Sequence, residues 1–110
     1  MARPTRAYYE AAVRLAEERL DPLRSLAHEK ALALPEVQRE NLMVAGERAS
    51  FTLFRYLNSP HLQGSVLVVA RVARPRWFGM AAHHTDRGLV FSLNAPSRNA
   101  TALEMQNTGA

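Results

Sequence analysis

The chain has 110 residues, 14 basic and 10 acidic side chains, and no cysteine. At this length a single domain with a small core is expected. The 47% hydrophobic share excludes a largely disordered chain, and zero cysteines exclude a disulfide scaffold, a thiol nucleophile and any thiolate zinc site.

The charge is unevenly spread along the sequence. Residues 1–57 carry nine basic and eight acidic groups, while residues 58–110 carry five and two. Thirteen of the basic residues are Arg and only Lys30 is Lys. The Arg fork suits phosphates and carboxylates, although genome composition produces the same bias. The excess bears on partners and not on fold. No apolar stretch follows the basic start, because Glu10, Arg14, Glu17, Glu18 and Arg19 interrupt it. A secretory signal is therefore not expected. The apolar central run 62–70 carries no charge but is too short to span a bilayer. A cytoplasmic location is the expectation.

Residues 5–20 form the first expected helix. Tyr9, Ala12, Val13, Ala16 and Leu20 recur at steps of three and four and so share a face. Thr5 is a candidate N-cap. Asp21-Pro22 then signals a break and a restart. A second helix over about 22–34 would bury Leu23, Leu26, Ala27, Ala31 and Leu34.

Residues 36–57 are ambiguous. Leu42, Ala45, Ala49, Leu53, Tyr56 and Leu57 fit one helical face, and Asn58-Ser59-Pro60 is a stop signal. Against this, Gly46 interrupts the pattern. Residues 49–57 also alternate, with Phe51, Leu53 and Leu57 on one side and Ser50, Thr52 and Tyr56 on the other. The start and stop signals favour helix.

From Ser65 the pattern turns to β. Strands are expected over 65–73, 77–84 and 89–94, with Pro75 interrupting and Thr85-Asp86-Arg87-Gly88 as a turn. Residues 97–110 are small and polar and read as a flexible tail, with one helical turn around 103–105. The expected domain is thus 1–96, followed by the tail 97–110. The expected class is α+β, with two or three N-terminal helices packed on a small antiparallel meander. The alternative adds 42–57 as two further strands, so that a curved five-stranded sheet wraps the helix and forms a pocket.

Three function classes fit these features. The first is a small binding or regulatory module that engages a protein or a nucleic acid. Arg71, Arg74, Arg76 and Trp77 cluster around the Pro75 bend, and Arg87 and Arg98 extend the patch. Arginines contact phosphates, and an aromatic ring stacks an unpaired base. The same arginines would simply solubilise a hairpin if Trp77 packs into the core. The second class is an enzyme, either a metal-independent ribonuclease-type toxin or a cone-shaped pocket enzyme. There His83 or His84 would be the base and Arg87 the anion stabiliser. The third is an inhibitor or immunity-type protein with one tight interface.

A metal site is not expected, because adjacent residues on a strand face opposite sides and separate His83 from His84. No cofactor is expected, since the five glycines are too scattered for a phosphate loop. Tyr8, Tyr9, Phe51, Phe54, Tyr56 and Trp77 offer more aromatic area than a small core hides, which points to a homodimer or another protein interface. No membrane partner is expected.

Overall fold

The computed structural model describes residues 6–57, 62, 64–74 and 84–106. Helix α1 (Arg6–Leu20) leads into a 3-10 turn (Asp21–Leu23) and a short helix α2 (His28–Leu32). Five strands follow: β1 (Val37–Val44), β2 (Glu47–Leu57), β3 (Val66–Ala73), β4 (His84–Phe91) and β5 (Arg98–Asn99). Helix α3 (Ala102–Gln106) comes last. The strands form one antiparallel sheet in the order β1-β2-β3-β4-β5. The chain is therefore mixed α+β, with helices and a five-stranded antiparallel sheet.

Residues 36–57 form strands and not the favoured helix. Val44 pairs with Glu47, leaving Ala45-Gly46 as a two-residue loop. Both loop residues have positive φ, 50° and 79°, as a type I′ hairpin turn requires. The glycine that interrupts the helical pattern is thus the reversal point of a hairpin. The second expected helix is also shorter. Asp21-Pro22 starts a 3-10 turn, and α2 begins only at His28.

Helix α1 buries Tyr8, Ala12, Ala16 and Leu20 at steps of four. Tyr9 is 43% exposed, so Tyr8 takes the core place that the spacing assigned to Tyr9. The two alanines let the helix lie close to the sheet. They pack with Ala49, Phe51 and Leu53 of β2, with Val66, Val68, Ala70 and Val72 of β3, and with Leu89 and Phe91 of β4. Alternate residues point to the other side of a strand. Leu67, Val69 and Val90 accordingly form a second cluster with Leu62, which Phe54, Tyr56, Ala100 and Met105 flank. β3 is buried on both faces and therefore reads as a run of valines.

The expected turn at 85–88 lies inside β4. Arg71 pairs with Asp86 and Val69 with Gly88. The strand ends at Phe91, and Asn94 has φ 60° beyond it. The part of the expected strand 77–84 that precedes His84 lies outside the described residues. Within 97–110, β5 pairs with β4, and α3 forms over the expected helical turn. Thr101 and Glu104 cap α3 reciprocally. The Thr101 N–H donates to Glu104 Oε1 at 2.8 Å, and the Glu104 N–H donates to Thr101 Oγ1 at 3.2 Å.

Candidate functional site

The sheet has one face on α1 and one face away from it, and the register assigns each polar side chain to one of them. On the face away from α1, Arg39, Thr52, Arg71 and Asp86 are successive neighbours across four strands. Asn41, Ser50, Ala73 and His84 make the next row. On the α1 face, Glu40 pairs with Arg19 of the helix, and Arg19 also lies over the Phe51 ring at 5.0 Å.

Arg71 and Asp86 are joined by two hydrogen bonds. Arg71 Nε donates to Oδ1 at 2.9 Å and Nη2 donates to Oδ2 at 3.0 Å. The side chains are 20% and 19% exposed, so this pair is worth more than a surface ion pair. Hydrogen bonding to Asp86 raises the Arg71 pKa further. The guanidinium also sits 5.4 Å from the centre of the Phe54 ring, which stacks on Tyr56. His84 Nδ1 lies 3.2 Å from Asp86 Oδ1.

The other expected site arginines go elsewhere. Arg74 is near in sequence but on the α1 side, where it lies over the Tyr8 ring at 5.6 Å and bonds Glu47 at 2.9 Å. Arg87 faces α1 as well, 3.8 Å from Glu17. Arg98 forks onto Glu104 at 2.9 and 2.6 Å. Arg71 thus stands apart from Arg74 and Arg87, on the opposite face, and each of the three meets a carboxylate of the chain itself. Arg76, Trp77 and His83 lie outside the described residues. Among the described residues, no three His, Asp or Glu side chains converge as metal ligands, and no helix is long and apolar enough to cross a membrane.

β1 was expected only in the alternative that made 42–57 two further strands, and it starts five residues earlier, at Val37. Among the described residues it is an edge strand, and residues 37–41 are all exposed. Val37 and Met43 are 56% and 61% exposed. The Arg55 N–H donates to the Glu36 carbonyl at 2.9 Å, one step before the Val37–Phe54 pair. In an antiparallel ladder, every second residue turns its backbone groups to the neighbouring strand. Residues 38, 40, 42 and 44 therefore bond β2, while Val37, Arg39, Asn41 and Met43 turn their N–H and C=O groups to the open edge. The signal for β1 lay in the Ala45-Gly46 dipeptide between two runs of strand-forming residues.

No family model, curated protein or solved structure matches the chain.

Proposed function

We propose that this chain is a small binding module, and not a catalyst, whose partner is a protein engaged at the β1 edge. The observation that carries this reading is the edge itself. β1 presents four residues with outward backbone groups, and two of them, Val37 and Met43, are large, apolar and more than half exposed. An unpaired edge of this kind is a template for strand addition. Charge supports a protein over a nucleic acid. Arg71, Arg74 and Arg87 each lie beside a carboxylate, Asp86, Glu47 and Glu17, and do not share one face of the sheet. An inhibitor or immunity-type role is a special case of this reading.

The test uses Asn41→Pro. Proline on an edge strand is tolerated where the lost N–H faces outward. The substitution therefore blocks strand addition and keeps the β1–β2 ladder. Protein binding should be lost in Asn41→Pro and should resist nuclease. Retained binding, or capture abolished by nuclease, overturns the proposal.

One observation favours the rival ribonuclease reading: the His84–Asp86 contact could orient a general base. Asp86 already holds Arg71 through both oxygens. RNA cleavage that disappears in His84→Ala would establish the rival.

A further inference from the structure

We infer that the partner at the β1 edge is a second copy of this chain, paired β1 to β1 in antiparallel with Glu40 on the twofold axis. This rests on the reading of β1 as the interaction edge, and it names the occupant.

Only residues 37, 39, 41 and 43 offer outward N–H and C=O groups, so the hydrogen-bonded pairs of a β1–β1′ ladder must join these residues to each other. In one register all four find partners at once: Val37 opposite Met43 of the second copy, and Arg39 opposite Asn41. Sliding by two residues either way leaves one of the four without an opposite number on each strand. The matched register forms about eight inter-chain hydrogen bonds, two for each bonded pair.

The side chains agree with that register. Val37 and Met43, at 56% and 61% exposure, would cover each other twice in the dimer. Arg39 would meet a neutral amide. On the α1 side, Gln38 would face Leu42 of the second copy, and the two Glu40 carboxylates would meet on the axis. Like charges opposite each other are unfavourable, but each Glu40 already carries Arg19. The axis would therefore hold two carboxylates and two guanidinium groups. This register also keeps both α1 helices on the same side, because it pairs odd residues with odd ones. The product is a continuous ten-stranded sheet. On its face away from α1, the Arg39-Thr52-Arg71-Asp86 row of one copy meets the Asn41-Ser50-Ala73-His84 row of the other.

A contact through one strand falls at the small end of specific interfaces, below about 1,200 Å², so the dimer should dissociate at micromolar concentrations. Sedimentation from about 1 µM to about 1 mM should show the mass double for the wild type. Asn41→Pro and Met43→Lys should stay monomeric with unchanged circular dichroism. The chain has no cysteine, so a single introduced thiol reports the register. Glu40 falls at a non-hydrogen-bonded pair, where Cα atoms approach to about 4.5 Å, within disulfide range. With added oxidant, Glu40→Cys should cross-link at least tenfold faster than Gln38→Cys, which meets residue 42 instead.

A wild type that stays monomeric at about 1 mM overturns the inference, as does equal cross-linking of the two thiols. If the wild type is monomeric while Asn41→Pro still loses a different protein partner, the second-copy inference fails and the binding-edge reading stands. If Asn41→Pro changes neither, both fail.

Discussion

Replacing Gly88 with alanine tests how the C-terminal segment is held. In an open strand this change should stabilise by about 0.5–1 kcal/mol, since glycine loses more chain entropy on folding. Gly88 is not in open space. A Cβ there would meet Ala100 Cβ at 3.0 Å, Met105 Sδ at 3.1 Å and the Val68 carbonyl oxygen at 3.1 Å. Favourable carbon contacts lie at about 3.5–4.0 Å. Ala100 and Met105 can retreat, because they belong to the short β5–α3 segment. Val68 cannot, because its carbonyl is backbone of the central strand. Retreat would also strain the bond from the Ala100 N–H to the Gly88 carbonyl, now 2.8 Å. The overpacking cost of about 1–3 kcal/mol therefore outweighs the entropy gain. Gly88→Ala should lower Tm by roughly 5–15 °C for a domain of this size and speed hydrogen exchange at Ala100. Adding Ala100→Gly should restore part of the loss. A Gly88→Ala variant that melts at or above the wild type refutes the close-packing argument.

Ala45 carries a positive φ of 50° in the two-residue turn, a conformation asparagine accepts more readily than alanine. Ala45→Asn should stabilise by about 0.5 kcal/mol or more, measured by denaturant unfolding. Asp86→Asn leaves the Arg71 charge without its carboxylate. It should cost about 1–3 kcal/mol and raise non-specific affinity for RNA at low salt, read by anisotropy. Hydrogen bonds from Arg98, then from the Thr101 backbone, hold the Glu104 pKa near 2 in place of the usual 4.5. A carboxylate with a lowered folded-state pKa stabilises fully above its unfolded value and loses that contribution as pH falls through the folded one. Order in α3 should therefore weaken between about pH 4.5 and 2, and Glu104→Gln, followed by nuclear magnetic resonance, should remove that pH dependence.

The α+β class, α1 and the central strand were legible because period and composition agree there. Ala12, Ala16 and Leu20 share a helical face, and the valine run of 66–72 fits only a strand buried on both sides. Residues 36–57 were not legible, because their spacing satisfies both periods. What decides is tertiary pairing: Phe51 and Leu53 reach the core only as strand residues beside Val72 and Ala70. The hairpin turn was hidden because Ala-Gly is a weaker signal than Asn-Gly. Gly88 was misread for a related reason. A glycine beside Asp and Arg fits a turn, yet here it serves close approach, which depends on Ala100 and Met105 far along the chain. Arg71 stood out in the sequence, but Asp86 read only as a turn residue, because their bond depends on register.

Charge was the most misleading feature, because sequence halves are not spatial halves. The β half holds five arginines against two acids. Folding brings Glu17 from α1 to Arg87 and Glu47 from β2 to Arg74, while Asp86 and Glu104 take Arg71 and Arg98. Counterions condensed on phosphates are released by cations that are available to replace them, and these four guanidinium groups already have carboxylates. Those four arginines are therefore already engaged with carboxylates of the chain itself. The β1 edge is the opposite case. Its outward backbone groups are the same as in any strand, and its outward residues match a copy of themselves only when Glu40 meets Glu40. Open backbone valence combined with self-complementary side chains is what supports the proposed protein partner. It also makes the axial position of Glu40 the feature on which the proposed dimer stands or falls.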